Sequence, residues 1–369
     1  MNLLILIGRF PPGAVGGAEL QAEAWAMRLA ARHRVTVVTR RDPPSQPAAE
    51  HRDGFEVLRL PVARLPLWRT FHDVYAIGRA VRRIQPRPDL LLCFQSFVSG
   101  YAGVRIQERR GIPALVWVRG EDELRMGPLD PSRWFAPRVW SAAAGVLVQS
   151  ERVRAALVEG LRAVDPDAAA RVEARLEVVP NGLELPASPS PPGHGLLGVG
   201  RLIRDKGMDT VIEAAALAAL PLTIAGDGPE RERLEALARA RGAQVRFEGI
   251  ASRERLQVLY REAGCVVLAA RRGEGLPNVL LEAMAHARPV VATPVMGAAD
   301  LVRHETNGLL VPPDDVGALA GALRRIAGDP VLAARLGSAA RATAAAFAWE
   351  RVVPQLEAAL ERWRAPART

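Results

Sequence analysis

Short, unbroken apolar runs recur along almost the whole chain, and longer segments with helical periodicity separate them. A parallel sheet covered by helices on both faces produces this pattern, because its strands are buried on both sides and need no alternating polar residues. The pattern therefore predicts an α/β protein in which strands and helices alternate. The predicted strands are LLILI (3–7), VTVV (35–38), FEVLRL (55–60), LLLCF (90–94), ALVWV (114–118), GVLVQ (145–149), LEVV (176–179), LLGVG (196–200), LTIAG (222–226), VRF (245–247), CVVLA (265–269), VVAT (290–293) and GLLV (308–311).

The strand pattern is interrupted once, by a stretch rich in proline, glycine and serine at 180–195. A chain of 369 residues also exceeds what one hydrophobic core usually supports. We therefore predict two tandem, doubly wound Rossmann-like domains at 1–180 and 196–345, joined by a linker at 181–195. Residues 346–369 have helical periodicity with no strand after them, and we expect a C-terminal helix that crosses back to the first domain.

Cysteine content and the length of the apolar runs limit the cellular setting. Cys93 and Cys265 each lie inside an apolar run that predicts a buried strand, so a disulfide scaffold is excluded and a reducing compartment fits. No apolar run reaches the ~18 residues that a membrane-spanning helix needs. The opening MNLLILIGRF lacks the basic region and the cleavage site of a signal peptide. We expect a cytoplasmic protein that is soluble or peripheral on the inner face of the membrane.

Positive charge is concentrated in the N-terminal half. The net charge is +9, and residues 1–180 contain 26 arginines against 19 acidic residues. Such a surface attracts anionic lipid headgroups, phosphorylated acceptors or nucleic acid. Because aromatic residues make up only 5% and no nucleic-acid-binding motif occurs, we expect no nucleic-acid partner. Residues 70–84 place Phe71, Tyr75 and three arginines at helical spacing, which predicts either a core-facing helix or an element that contacts an anionic membrane.

The loop GVGRLIRDKG places two cations at the end of a predicted strand. The strand ends at Gly200, Arg201 and Lys206 follow, and Gly207 begins the next helix. Ligands of open α/β sheets bind beyond the carboxyl ends of the strands, and a helix N-terminus attracts anions. The sequence therefore predicts either a diphosphate site or a solvated loop of basic residues. Lys206 is the only lysine in a chain with 48 arginines, which suggests that a compact ammonium suits this position.

The segment RRGEGLPNVLLEAMA places two glutamates around a predicted helix N-terminus. Glu274 precedes a helix that starts near Pro277 or Asn278, and Glu282 lies one to two turns into that helix. An ionised carboxylate has two acceptor oxygens, so each glutamate could hold a vicinal diol of a sugar. Taken alone, the same pattern also fits a loop acid and a first-turn acid that complements the helix dipole.

Together these loops resemble the retaining glycosyltransferases of family 4, which have the GT-B fold with a cleft between two Rossmann-like domains. The most specific part is the pair Glu274 and Glu282, spaced E-x7-E within EGLPNVLLEAMA. The segments GRLIRDKG, AGDGPE and VVPNGLE occur in the order and spacing of that family. At the N-terminus, GRFPPGAVGGAE (8–19) resembles its glycine loop.

The resemblance implies a role for each matching residue. Arg201 and Lys206 would neutralise the donor diphosphate, and Glu282 would bind ribose hydroxyls. Glu274 would hold the transferred hexose, so Arg201, Lys206 and Glu274 are the candidates for catalysis. The other implied donor contacts are Gly16, Gly17, Ile250, Gly275, Leu276 and Asn278.

Two positions depart from the family pattern. The family often has a histidine in the loop after the strand that matches ALVWV, and this chain has Arg119 there. Arg119 and Asp122 are therefore the candidates for contacts with the acceptor or the sugar. Pro277 removes one backbone N–H from a stretch that often donates to the hexose.

The resemblance implies transfer of a hexose-type sugar, with retention, from a UDP-sugar or GDP-sugar to a hydroxyl of a sugar or lipid-linked acceptor. The first domain would bind the acceptor and the second the nucleotide-sugar, in synthesis of a cell-surface polysaccharide or glycolipid. We expect no metal and no cofactor besides the donor, because the six histidines lack zinc spacing and the D-x-D at 165–167 falls in a loop after a helix.

Three alternatives remain at this point. A nucleotide-sugar epimerase on the same architecture would need an acid and a base that flank the sugar ring. A non-catalytic nucleotide-sugar-binding module would not need the basic residues and glutamates together. An NAD-dependent dehydrogenase would have a G-x-G-x-x-G motif at the start of the first helix, and none is present.

Overall fold

Two compact units make up the chain. The computed structural model describes residues 1–12, 16–62, 69–125, 131–273 and 275–364. The first unit comprises Met1–Pro180 together with Val352–Thr369, and the second comprises Asn181–Arg351. Residues 181–195, where the sequence predicts a linker, belong to the second unit. Among the described helices, none is long and apolar enough to cross a bilayer.

The first unit is built around a sheet with eight strands in its described part. Its strands are β1 Asn2–Leu6, β2 Arg34–Arg40, β3 Ala49–Arg52, β4 Phe55–Leu60, β5 Leu90–Phe94, β6 Ala114–Trp117, β7 Gly145–Val148 and β8 Leu176–Val178. Their order is β3-β4-β2-β1-β5-β6-β7-β8, and only the β3–β4 pairing among them is antiparallel. The central strands are wholly buried, as expected for a parallel sheet with helices on both faces.

Helices and short turns connect the strands of the first sheet. The helices are α1 Gly17–Ala30, α2 Arg69–Arg83, α3 Tyr101–Arg110, α4 Pro131–Ala142, α5 Glu151–Arg162 and α6 Pro166–Glu173. Two short helical turns, Ser96–Gly100 and Glu121–Leu124, follow β5 and β6. Asp165, the first residue of the D-x-D at 165–167, caps α6 by accepting a hydrogen bond from the Ala168 N–H at 2.9 Å, and Asp167 lies in the first turn of that helix and not in the predicted loop.

The second unit contains a smaller sheet in which every described pairing is parallel. Its strands are β9 His194–Val199, β10 Leu222–Ala225, β11 Val245–Gly249, β12 Ala263–Leu268, β13 Val290–Ala292 and β14 Leu309–Leu310. Its helices are α7 Met208–Ala218, α8 Arg231–Ala240, α9 Arg253–Glu262, α10 Asn278–Ala285, α11 Ala298–Leu301, α12 Val316–Gly328 and α13 Pro330–Ala344. Both units therefore confirm the predicted α/β class and the Rossmann-like layout.

The strand order of the second sheet fixes where a ligand can bind. The order is β11-β10-β9-β12-β13-β14, so the chain builds outward from β9 on one side and then from β12 on the other. The loops that follow β9 and β12 leave their neighbouring strands in opposite directions, which opens a crevice at the carboxyl edge of the sheet. Arg201 and Lys206 follow β9, and the segment that precedes α10 follows β12.

The last helix, α14, spans Trp349–Trp363 and crosses the boundary between the units in sequence. Near its start, Trp349 packs on Gly182, where an added Cβ would lie 2.1 Å from the indole ring. Near its end, the Trp363 indole N–H donates to the Glu177 carboxylate at 2.7 Å. Gly145 leaves room for this second indole, because a Cβ there would lie 2.9 Å from the Trp363 ring nitrogen.

Candidate functional site

The turn that carries Lys206 packs tightly against the end of β12. Residues Arg204–Lys206 form a single 3-10 turn, and Gly207 ends it with a φ of +63° before α7 begins. A Cβ at Gly207 would lie 1.9 Å from the carbonyl oxygen of Ala269, the residue after β12. Only glycine combines this backbone conformation with so close an approach. The packing therefore fixes the half-buried Lys206 at the point where the β9 and β12 loops diverge.

The loop after β10 lies on the loop after β9. A Cβ at Gly226 would come within 1.9 Å of the Gly200 carbonyl oxygen. The Gly226 N–H in turn donates to the carbonyl of Gly249, the last residue of β11, at 2.7 Å. Ile250 follows directly and is 70% exposed. An exposed isoleucine beyond a strand end leaves an apolar surface that a flat ring could cover.

Arg271, which sequence analysis did not single out, ties the loop after β12 to the loop after β9. Its backbone N–H donates to the Asp205 carbonyl at 2.8 Å, and its Nη1 donates to the Arg204 carbonyl at 2.5 Å. Its Nη2 lies 2.9 Å from an Asp209 carboxylate oxygen, and its Nε donates to Asp314 at 2.6 Å. Burial opposes the charge of Asp209, but hydrogen bonds from Arg271 and Arg233 hold the pKa of Asp209 below its ordinary value.

The start of α10 is held by a residue far away in sequence. The buried Asn181 side chain donates from Nδ2 to the Leu276 carbonyl at 3.1 Å and to the Asn278 side-chain oxygen at 2.7 Å. Gly275, Leu276 and Pro277 are all buried. Asn181 therefore fixes the backbone at the N-terminus of α10, where the helix dipole favours an anion.

Glu282 is a partly buried carboxylate on α10. Burial raises the pKa of Glu282 above its ordinary value, and the neighbouring Tyr260 hydroxyl and the Arg253 charge oppose that shift. Burial, followed by the Glu282 charge, raises the pKa of Tyr260. A carboxylate with a raised pKa next to a buried phenol is the kind of group found at functional sites.

His286 ends α10 as a buried, neutral imidazole. Its ring stacks on Tyr260 with centroids 5.9 Å apart, and its two nitrogens lie 2.9 Å from the Ser190 hydroxyl and 2.8 Å from the Gln257 side-chain oxygen. Burial, with a smaller contribution from nearby arginines, lowers the pKa of His286 to about 4. The imidazole supports the far end of α10 by hydrogen bonding.

In the first unit, Arg119 lies at the carboxyl end of β6. Its guanidinium is 4.9 Å from the Trp117 ring centroid and 5.2 Å from that of Phe94. Burial lowers the pKa of Arg119 to about 10, against the attraction of Glu123 and Glu19. This arginine is 8% exposed, so it can meet a ligand only through a small part of its surface.

Glu123 joins the loops after β5 and β6. Its buried carboxylate accepts hydrogen bonds from the Ser96 N–H at 2.5 Å and from the Arg119 N–H at 2.7 Å. The Trp140 indole N–H donates to the Ser96 hydroxyl at 2.8 Å. Glu123 therefore fixes the backbone at Arg119.

The described part of the glycine loop ends at the start of α1. Gly16 caps this helix, Gly17 begins it, and the Leu20 N–H donates to the Gly16 carbonyl at 3.0 Å. A Cβ at Gly16 would lie 2.3 Å from a Glu19 carboxylate oxygen. Both glycines follow β1, the strand beside which the strand order of the first sheet reverses.

A cavity of about 460 Å³ opens beside the first residues of β9 and β12, His194 and Ala263. It lies at the opposite edge of the sheet from Lys206, so we do not assign it to the donor. Within the described ranges, no group of three or more His, Cys, Asp and Glu side chains could hold a metal ion.

Two family models match this chain. Residues 16–182 match the glycosyl transferase 4-like domain, and residues 194–343 match glycosyl transferases group 1. The chain belongs to the group 1 glycosyltransferases. The resemblance found in the loops of this glycosyltransferase is thereby confirmed.

Relatives and solved structures agree with this assignment. The chain is 29% identical to a D-inositol 3-phosphate glycosyltransferase of Pseudarthrobacter chlorophenolicus, over 92% of this chain and 88% of that protein. It is 35% identical to an exopolysaccharide phosphotransferase of Streptomyces coelicolor over 64% of this chain, but spans only 24% of that longer relative. Sucrose-phosphate synthase of Thermosynechococcus elongatus superposes with a TM-score of 0.84 at 24% identity, covering 98% of both chains. These likenesses establish the GT-B fold.

A solved structure with ligands has the same fold. Anabaena HepE, in a structure with UDP and glucose, superposes with a TM-score of 0.77 at 20% identity, covering 98% of this chain and 100% of that one.

The structure places most of the predicted site residues in segments that follow strand ends. In the second unit these are Arg201, Lys206, Ile250, Gly275, Leu276, Asn278 and Glu282, and in the first unit Gly16, Gly17 and Arg119. Glu274 lies outside the described residues, and so does the side chain of Asp122, whose backbone belongs to the turn Glu121–Leu124. The roles that the resemblance implies for all of these residues stay predictions.

Proposed function

We propose that this group 1 glycosyltransferase transfers a hexose-type sugar from a nucleoside-diphosphate sugar to a hydroxyl acceptor with retention at the anomeric carbon. The observation that carries the proposal is the cationic turn at the switch point of the second sheet. Lys206 stands there on a tightly packed turn, and Arg201 is exposed with no ion pair in the part of the chain that the structure describes. Two cations in the loop after β9, which contacts the loop leading from β12 to α10, suit the charge that develops on a leaving diphosphate.

The sugar hydroxyls require acceptors near that diphosphate. Glu282 offers a carboxylate four residues after Asn278, the first residue of α10, and its raised pKa falls when hydroxyl donors stabilise the charged form. Glu274, in the same E-x7-E pattern, is proposed to hold the hexose. Ile250 offers the exposed apolar surface on which we place the nucleobase.

Two kinds of relative support the donor and the pathway. HepE structures contain UDP, UDP-glucose, or UDP with glucose, which supports a nucleoside-diphosphate sugar as donor, here proposed to be a UDP-sugar or a GDP-sugar. Among the sequence relatives are lipopolysaccharide core biosynthesis glycosyltransferases of Rhizobium meliloti, which supports a sugar or lipid-linked acceptor in cell-surface polysaccharide or glycolipid synthesis. We propose that no metal and no further cofactor take part, because Arg201 and Lys206 already supply two positive charges.

A donor panel tests the proposal. Each UDP-hexose and GDP-hexose is incubated with a mixture of lipid-linked and free sugar acceptors, and nucleoside diphosphate release is measured with and without acceptor. We expect release that depends on acceptor, and a product whose anomeric configuration matches that of the donor. An epimerised nucleotide-sugar formed without acceptor would indicate the epimerase instead. Tight nucleotide binding without any turnover would indicate the non-catalytic module.

Helix α2 supports a peripheral membrane position on the cytoplasmic face. Phe71 is 71% exposed and Tyr75 is 67% exposed, and Arg79, Arg82 and Arg83 lie exposed on the same helix. Exposed aromatics beside arginines fit the interface of an anionic bilayer. Charge reversal of the three arginines should abolish sedimentation with anionic vesicles. The same reversal at the three arginines of α8, in the second unit, is the control. If both variants still sediment with anionic vesicles, α2 is not the membrane contact.

A further inference from the structure

Arg271 is held by contacts within the protein and has no part in the proposed donor chemistry. It is a partly buried arginine in the loop between β12 and α10, and the donor roles above do not include it. All three of its guanidinium nitrogens are engaged by the protein: Nε by Asp314, Nη1 by the Arg204 carbonyl and Nη2 by Asp209 and Thr210. A side chain so fully used within the protein is poorly suited to bind a phosphate itself.

The contacts of Arg271 converge on the turn that carries Lys206. Its Nη1 and its backbone N–H hold the carbonyls of Arg204 and Asp205, the two residues directly before Lys206. A planar guanidinium can satisfy a carbonyl on one side and carboxylates on the others in one fixed geometry. Arg271 therefore links the loop after β9 to the loop after β12 at the switch point.

Two carboxylates fix the guanidinium in turn. Asp209 lies in the first turn of α7, directly after the Lys206 turn, and Asp314 lies in the loop after β14. Burial opposes the charge of Arg271, but the hydrogen bonds that Arg271 donates to Asp314 and Asp209 raise the pKa of Arg271 above its ordinary value. The loops after β9, β12 and β14 thus share one charged centre.

We propose that Arg271 is a positioning residue that holds the Lys206 turn in the geometry that binds the donor diphosphate. The inference rests on the proposed function, because it assumes that Lys206 meets a diphosphate. It predicts that Arg271 acts through Lys206 and makes no contact with the donor. Its loss should then weaken nucleotide binding even where the fold persists.

The experiment compares three variants with the unmodified protein. R271A removes all of these contacts. R271K keeps the positive charge but cannot reach the Arg204 carbonyl and both carboxylates at once. R233A is the matched control, because Arg233 also pairs with Asp209, at 3.2 Å, and with Glu230, but the described structure gives it no hydrogen bond or ion pair with residues 204–206. The readouts are the Kd of UDP and of GDP by calorimetry, the donor KM and kcat, and a thermal melt.

We expect R271A to weaken binding of the preferred nucleotide by about tenfold to a hundredfold, since misplacing a positioned group by ~1 Å has effects of that order. R271K should recover only part of the loss, and R233A should stay within about twofold of the unmodified protein. The donor KM of R271A should rise with the Kd. A double variant, R271A with K206A, should bind no more weakly than K206A alone, because Arg271 acts through Lys206.

Several outcomes would contradict the inference. If R271A binds UDP and GDP as tightly as R233A does, Arg271 does not position the Lys206 turn. If R271A weakens binding further in the K206A background, Arg271 contacts the nucleotide independently. If R271A fails to fold, the R271K variant decides. Nucleotide binding by R271K as tight as that of the unmodified protein would show that the planar guanidinium of Arg271 is not needed. If the unmodified protein binds neither UDP nor GDP, the proposed function itself fails, and the inference fails with it.

Discussion

A methyl group added at Gly207 tests whether the loops at the switch point depend on close packing. Gly207 has a φ of +63°, and a Cβ there would lie 1.9 Å from the Ala269 carbonyl oxygen. Gly242, in the same unit, has a φ of +61° and no atom within 4 Å of its Cβ position. An alanine at either position would therefore have the same backbone strain. Only at Gly207 would it also clash with the Ala269 carbonyl oxygen.

The loss of stability in each variant can be estimated from the backbone strain and the steric clash. An alanine at a left-handed position costs about 1 kcal/mol, which is the whole expected effect of Gly242→Ala. The contact at Gly207 must open by more than ~1 Å against backbone, and overpacking of this kind adds roughly 1–3 kcal/mol. For a unit of this size 1 kcal/mol lowers the Tm by about 3 °C, so we expect losses of about 3 °C for Gly242→Ala and about 10 °C for Gly207→Ala.

The assay pairs calorimetric melting with donor kinetics. Opening the contact displaces Lys206, the residue before Gly207, so kcat/KM for the donor should fall by about 10² in Gly207→Ala and remain unchanged in Gly242→Ala. Equal Tm values for the two variants would refute the packing argument. A large loss of Tm with unchanged kcat/KM would show that the turn holds the fold but does not set the position of Lys206.

Lys206→Ala should lower kcat by about 10² to 10³ while the Tm persists, and Lys206→Arg should rescue it only in part; near-normal kcat/KM in Lys206→Ala would remove Lys206 from the donor site. Turnover should persist in excess EDTA, and a requirement for added Mg²⁺ or Mn²⁺ would contradict the hypothesis that no metal takes part in the reaction. Because the pKa of Glu282 is raised, donor binding should weaken on acidification at a pH above the ordinary glutamate range, and this acid limb should vanish in Glu282→Gln in a pH profile of kcat/KM. The pKa of His286 falls from 6.5 to about 4 on folding, so the unfolded state binds the proton more readily and up to about 3 kcal/mol of stability should be lost as pH falls from 6.5 to 4; urea melts of His286→Gln should show a smaller loss.

The strands were predictable because burial on both faces leaves a strong local pattern. Every apolar run named in the sequence became a strand, with ends that differ by a few residues. The exception is β3, which the sequence analysis did not predict. Its residues AEHR alternate between exposed and partly buried positions at the sheet edge, where Glu50 and Arg52 form ion pairs instead of a core. An antiparallel edge strand of this kind lacks the apolar run that identifies the others.

The candidate site was predictable only where a motif is continuous in sequence. Arg201, Lys206 and Glu282 belong to short segments with a recognisable spacing. Arg271 and Asn181 act on partners about 60 and 95 residues away, through contacts that only the folded sheet creates. No composition signal distinguishes Arg271 among 48 arginines. The sequence alone offered one clue for Asn181, its place in the segment VVPNGLE that the family shares.

The only lysine of the sequence stands on the Arg204–Lys206 turn, and this gives the site a chemical label of its own. Reagents that acylate amines find a single side-chain target in the whole chain, besides the N-terminal amino group. The rate at which Lys206 is modified, followed by mass spectrometry, therefore reports on this one turn without any engineered probe. Protection of that amine by a bound nucleotide would map occupancy of the crevice before any acceptor is known, and a panel of unlabelled nucleotides could be ranked by the same footprint.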